Sequence, residues 1–122
     1  MKDSKEEVRK FMEKRGWSDQ PPADLAKSIV IEAAELLEHF QWENFFEEEV
    51  AKDPRIKKEI IKELADVFVY AIAMALVLKV DISEIVHDKL VAAAKKYPSS
   101  VINGRKVSKK YKEIKNKYRS RK

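Results

Sequence analysis

Two segments of the chain carry carboxylates three residues apart on helices that are otherwise apolar. Asp66 is the one charged residue in the apolar run 64–78, and Glu63 precedes it by one helical turn. Glu32 and Glu35 repeat this spacing in an earlier segment. Residues at i and i+3 share one face of a helix, and a carboxylate among apolar neighbours is costly unless a cation or hydrogen-bond donors compensate it. The two pairs therefore predict a site for a hard divalent cation.

Mg²⁺ and Mn²⁺ prefer oxygen ligands in near-octahedral geometry. Two carboxylates on one helix and two on a facing helix can fill part of such a shell and leave positions open to water and phosphate oxygens. This arrangement suits cleavage of a phosphoanhydride, because the ion neutralises phosphate charge and can activate a water molecule. The alternative is that the acids are solvated or paired with lysines, which we expect for Glu38 and for residues 47–49.

Helical spacing dominates the chain, and no alternating strand pattern stands out, so we expect an all-α fold of the four-helix type. The predicted helices span about 4–14, from a cap at Asp24 to about 40, from a cap at Asp53 to about 79, and from a cap at Asp81 to about 96. A linker is expected before Asp53. On the second helix the apolar stripe places Glu32 at its edge and Glu35 further round, at the seam between core and solvent.

Composition indicates one domain, because 122 residues support a single core of moderate size. The absence of cysteine excludes disulfides and thiolate metal sites. The charged start shows no secretory signal, and the run 64–78 is too short to span a bilayer. We therefore expect a cytoplasmic protein without a membrane segment.

Charge divides the chain into an acidic body and a basic end. Residues 95–122 contain twelve lysines or arginines and a single acid, Glu113, although the whole chain carries only +5. We expect a domain over 1–106 and a basic C-terminal tail over 107–122 that can form a helix. The tail is either solvated, a guide for anionic substrates or a surface that packs on a partner, or it binds nucleic acid together with Tyr111 and Tyr118.

The combined pattern resembles the MazG-like all-α nucleoside triphosphate pyrophosphohydrolases, and within them the dCTP pyrophosphatase-like branch. The signature is E-x-x-E followed one helix later by E-x-x-D, matched here by Glu32, Glu35, Glu63 and Asp66. Further matches lie in residues 66–70, which begin at Asp66, and in residues 89–98, from Lys89 to the Lys-Tyr-Pro at 96–98. The resemblance covers roughly residues 17–98.

The resemblance implies Mg²⁺-dependent hydrolysis of (d)NTPs to (d)NMP and pyrophosphate, which clears or controls nucleotide pools. Independently of the resemblance, the helix that carries Asp66 is apolar on too many faces for a small monomer, so we expect a homodimer or homotetramer. The four acids would bind Mg²⁺, with Mn²⁺ as a substitute, and one of the glutamates or a metal would activate the water. Trp42 would stack on the base, Tyr70 would face the nucleotide and Lys89 would contact phosphate. The alternatives are that Trp42 caps the core, that Tyr70 packs in the core and that Lys89 is an ordinary surface lysine.

Two features depart from these patterns. Ala93 stands where the family often has an asparagine four residues after the lysine, and the loop after Trp17 lacks the family's histidine. Base preference therefore does not transfer from the resemblance.

Glu84 and His87 form an E-x-x-H pair of the kind that di-iron helical bundles use, but those proteins need two such pairs and further carboxylates.

Overall fold

Six α-helices make up all the regular structure in the computed structural model, which describes residues 3–101 and 108–120. Within those ranges there is no β-strand, so the all-α prediction is confirmed. The helices are α1 (Ser4–Lys14), α2 (Pro22–Glu38), α3 (Glu47–Lys52), α4 (Pro54–Leu78), α5 (Ile82–Lys96) and α6 (Ser108–Arg119).

Two helices begin at the aspartates that the sequence predicts. The Asp53 side chain accepts hydrogen bonds from the main-chain N–H groups of Arg55 and Ile56, at 3.1 and 3.2 Å. The Asp81 carboxylate accepts one from the N–H of Glu84 at 2.9 Å. These bonds satisfy donors that have no partner within the first helical turn. The caps therefore fix the start of α4 and α5.

Two details of the helix prediction were wrong. Helix α2 begins at Pro22 rather than after a cap at Asp24, because proline suits the first helical position, where its missing N–H is not needed. The segment predicted as a linker contains the short helix α3, with three glutamates in its first turn. Acidic side chains there are favourable because they face the positive end of the helix dipole.

The chain forms two compact units, Met1–Val80 and Asp81–Lys122. In the first unit α2 packs along α4, and α1 and α3 also contact α4. Its buried core joins Met12 of α1, Leu25 of α2 and Ala73 of α4. Because Leu25 near the start of α2 meets Ala73 near the end of α4, the two helices run antiparallel. Their middle segments, which carry the acidic pairs, therefore face each other.

Helices α5 and α6 make up the second unit. The ring of Tyr97, which follows α5, stacks on Tyr111 of α6 with 4.7 Å between ring centroids. The basic C-terminal segment is thus helical from Ser108, as the sequence allowed. Across the described ranges, no helix is both long enough and apolar enough to cross a bilayer.

Helix α4 is not enclosed on all faces. Ile61, Leu64 and Phe68 are 52%, 40% and 59% exposed, and Asp66 is half-buried. The first unit offers α4 only α1, α2 and α3 as neighbours. A long apolar stripe on α4 therefore faces outward in a single chain.

Candidate metal centre

The antiparallel pairing of α2 and α4 brings acidic side chains from both helices to one place. One carboxylate oxygen each from Glu32, Glu63 and Asp66 lies within 4.8 Å of the other two. All three residues are half-buried. Ligand oxygens around one divalent cation are separated by similar distances, because each lies about 2.0–2.6 Å from the ion. These three side chains can therefore reach a common ion.

Glu35 is the fourth acid of the cluster. Its carboxyl group interacts with both Glu32 and Glu63 and helps to raise the pKa of each of them. It therefore lies beside one acid on its own helix and one on α4. The structure brings together all four acids that the E-x-x-E and E-x-x-D pattern singled out.

The pKa values of two of these acids are raised by the crowding. Burial is the largest cause of the raised pKa of Glu32, followed by its interaction with Glu35 and by repulsion from the other carboxylates. Burial also leads for Glu63, again followed by Glu35, while Lys62 acts weakly in the opposite direction. Both carboxyl groups thus lie where a negative charge is poorly compensated by the protein itself.

Two oxygen atoms show that the compensation is incomplete. The Oε2 atoms of Glu32 and Glu63 are buried and have no hydrogen-bond partner. In the described part of the chain, no lysine or arginine forms an ion pair with any of the four acids. The alternative in which these acids pair with lysines therefore does not describe this cluster. Buried oxygen atoms without donors are what a hard divalent cation would satisfy.

Helix α2 is rotated relative to the orientation that its apolar stripe predicted. Glu32 and Glu35 are half-buried on the side facing α4, whereas Ala33 is exposed and Leu37 is 68% exposed. Because the two acids are only half-buried, their position agrees with the seam between core and solvent that the sequence analysis expected.

The other predicted site residues lie in different surroundings. Trp42 follows α2 and is 87% exposed, so its ring does not cap the core of this chain. Tyr70 packs against the core cluster, as the core-packing alternative described, and its contact with a nucleotide stays a prediction. Lys89 is exposed on α5, in the second unit.

The di-iron alternative gains no support from the structure. Glu84 and His87 are both exposed, and the Glu84 N–H belongs to the cap of α5. Over the residues that the structure describes, the α2–α4 acids form the one group of three or more candidate ligands that converges.

Comparison with known proteins gives consistent results. The sequence model of the MazG-like family matches residues 27–114. The chain is 32% identical over 106 residues to human (Homo sapiens) dCTP pyrophosphatase 1 and 31% identical over 96 residues to the mouse (Mus musculus) protein. These alignments cover 85% and 77% of this chain, but only 61% and 56% of the relatives.

A solved structure supports the same relationship. The crystal structure of a pyrophosphatase from Archaeoglobus fulgidus is similar to this fold, with a TM-score of 0.66 and 39% sequence identity. The match covers 76% of this chain and 87% of the archaeal one. Since the family match spans most of the sequence and includes all four clustered acids, the chain belongs to the MazG-like family.

Proposed function

We propose that this protein hydrolyses nucleoside triphosphates to the monophosphate and pyrophosphate in a reaction that depends on Mg²⁺. The observation that carries the proposal is the cluster of Glu32, Glu35, Glu63 and Asp66, with two buried oxygens that lack partners. The names of two similar proteins also support the proposal, since they are called dCTP pyrophosphatase 1 and pyrophosphatase. Its role would be to clear or control nucleotide pools in the cytoplasm.

The four acids would hold the ion, with Mn²⁺ as a substitute for Mg²⁺. A bound divalent cation neutralises phosphate charge and lowers the pKa of water at this position. The carboxylates come from two helices that pack against each other, so they would hold the metal and the reacting groups in a fixed arrangement. Water attacks phosphorus, the bond between the α- and β-phosphates breaks, and pyrophosphate leaves. A glutamate of the cluster would accept the proton that the water releases, unless the metal alone activates the water.

Residues outside the cluster would bind the rest of the nucleotide. Trp42 is a candidate for stacking on the base because most of its ring is exposed and can accept an aromatic partner. Lys89 is a candidate phosphate contact because its exposed ammonium group carries the required charge. Tyr70 is a weaker candidate, since its ring packs against the core. Because the human relative is named for dCTP, dCTP is the first substrate to test.

We also propose that the protein works as a homodimer or homotetramer. Ile61, Leu64 and Phe68 recur at spacings of three and four residues and form one exposed stripe on α4. Single exposed apolar residues are ordinary, but a continuous stripe of this kind marks an interaction surface. A second copy that presents the same stripe is the partner favoured by symmetry.

A nucleotide screen tests the proposed reaction directly. Purified protein is incubated with Mg²⁺ and a panel of canonical and modified (d)NTPs, and pyrophosphate and orthophosphate are measured separately. We expect pyrophosphate and the monophosphate in equal amounts, and no product in EDTA. Orthophosphate alone would show that a different bond is cut, and the absence of turnover across the panel would contradict the proposal.

A further inference from the structure

The second unit contains a pocket whose lining extends beyond Lys89, the candidate phosphate contact of the proposed reaction. It has a volume of about 450 Å³ and lies between α5 and α6. Its lining combines ammonium groups and phenol rings, contributed by Lys96, Lys115, Tyr97, Tyr111 and Tyr118 among others. A pocket lined by cations and aromatic rings suits a ligand that is both anionic and planar.

The cations and the rings of this pocket are already arranged around one another. The Lys96 ammonium lies 5.1 Å from the ring centroid of Tyr97 and 5.0 Å from that of Tyr118. The Lys115 ammonium lies 5.8 Å from the ring of Tyr111. Tyr111 and Tyr118 nevertheless stay 42% and 40% exposed. Part of each ring is therefore accessible to a ligand, with a positive charge beside it.

Further basic residues extend along α6 beyond the pocket. Lys110 and Lys117 lie seven residues apart on one edge of the helix, and Lys112 and Arg119 lie seven apart on the other edge. All four are exposed. Seven residues of helix span about 10 Å, so these charges are spread over more than one phosphate group. Such a distribution matches a chain of phosphates better than one small anion.

From these features we infer that the α5–α6 unit binds single-stranded nucleic acid. Bases stack on the exposed parts of Tyr111 and Tyr118, and the phosphate backbone follows the basic edges of α6. Proteins that bind single strands without sequence preference combine aromatic stacking surfaces with positively charged grooves in this way. A duplex is disfavoured because its bases are already stacked on one another.

Fluorescence anisotropy with a labelled 20-nucleotide oligo(dT) tests the charge component on the full chain. Each phosphate contact to a single strand contributes about 0.7 to the slope of log K against log salt concentration. The double variant Lys112→Gln/Lys117→Gln should therefore lower that slope by about 1.4. The matched control Lys57→Gln/Lys58→Gln removes two exposed lysines from α4 and should leave the slope unchanged. Equal losses in the two variants would mean that net charge alone drives binding, which would overturn the proposal.

The stacking component has its own test. Tyr111→Leu should weaken oligo(dT) binding roughly five- to a hundredfold, because base–aromatic stacking contributes on this scale, whereas Tyr111→Phe should retain most of the affinity. Circular dichroism checks that α6 stays helical in the leucine variant. The salt-slope experiment tests the proposal without using this variant. Equal affinity for a 20-base-pair duplex would overturn the proposal. Displacement of the oligonucleotide by dCTP at matched phosphate concentration would instead identify a mononucleotide pocket and would also overturn it.

Discussion

Four carboxyl groups between α2 and α4 repel one another, and their positions are imposed by the packing of the two helices. Glu32 and Glu63 each have one buried oxygen without a hydrogen-bond partner, and burial raises the pKa of both groups. The cluster therefore destabilises the metal-free fold at neutral pH. A bound cation would reverse the sign of this contribution, because the same oxygens would then have a positive partner.

Loss of single ligands tests the role of the cluster in catalysis. Asp66→Asn or Glu35→Gln should lower turnover by at least about a hundredfold, since changes to residues that only support metal ligands already cost 10–100-fold. Both substitutions keep the shape of the side chain, so the fold should be retained. Glu59→Gln, an exposed position on α4, is the matched control and should keep its activity. Unchanged turnover in both cluster variants would reject the site.

The electrostatic cost of the cluster can be measured through stability. The folded-state pKa of Glu32 lies above its unfolded value, so ionisation opposes folding; this penalty is absent below the unfolded pKa, near 4.5, and grows as pH rises through the folded pKa. In EDTA at pH 7.5, Glu32→Gln should therefore have a higher Tm than the wild type, and the difference should shrink toward pH 4.

Addition of Mg²⁺ should reverse this ranking. The ion should raise the Tm of the wild type by binding the native state alone, and it should have little effect on Glu32→Gln. Differential scanning calorimetry with and without Mg²⁺ gives both comparisons. If Glu32→Gln has a lower Tm than the wild type in EDTA, ionised Glu32 stabilises the metal-free fold, contrary to this account.

Helix ends are set by local chemistry, and one of them carries a backbone conformation that its residue does not favour. Lys79 ends α4 with φ of 57°, in the left-handed region. The N–H groups of Lys79 and Val80 close the helix through Leu76 and Ala75, at 3.2 and 3.1 Å. Glycine is the usual residue at such a position because it lacks the Cβ that causes the strain. Gly16, with φ of 67°, shows this use after α1.

Lys79→Gly should therefore stabilise the fold. The left-handed conformation costs a non-glycine residue about 1–2 kcal/mol, and glycine loses about 0.5–1 kcal/mol more backbone entropy, so the net gain should be about 0.5 kcal/mol. Lys58→Gly, at an exposed position in the second turn of α4, is the matched control and should destabilise by about 1 kcal/mol. Urea unfolding of the two variants measures both signs, and destabilisation by Lys79→Gly would contradict the strain argument.

At the scale of the whole molecule, one chain buries little apolar surface for its composition. The fully enclosed part of the core is small, with Met12, Leu25, Ala73 and Ala75 as its buried apolar residues among those described. The outward stripe on α4 is long and contains side chains more than half exposed. Association through this stripe would bury the surface that the first unit leaves uncovered.

A charge placed in this stripe should prevent association. Ile61→Asp and Phe68→Asp should each shift the mass measured by light scattering from a dimer or tetramer to 14.2 kDa, since a buried unpaired carboxylate opposes the interface. Lys58→Asp, an exposed position on the same helix, introduces the same side chain and should leave the mass unchanged. A wild-type protein that already runs as a monomer would contradict the proposed assembly.

The amino-acid sequence by itself determined those structural features that depend only on residues close to one another in the chain. Aspartate before a helix satisfies the first main-chain donors, so Asp53 and Asp81 marked the starts of α4 and α5. The spacing of three residues placed each acidic pair on one helical face, and the E-x-x-E and E-x-x-D pattern marked which acids belong together. These features are local, and they hold whatever the helices pack against.

Tertiary packing decided the rest. Helix α2 has apolar residues on two faces, and only its contact with α4 selected the face that carries Glu32 and Glu35. The same contact left oxygens of Glu32 and Glu63 without partners, which depends on atoms far apart in the chain. The burial of α4 also depends on which elements surround it, and those available within the first unit leave its apolar stripe uncovered.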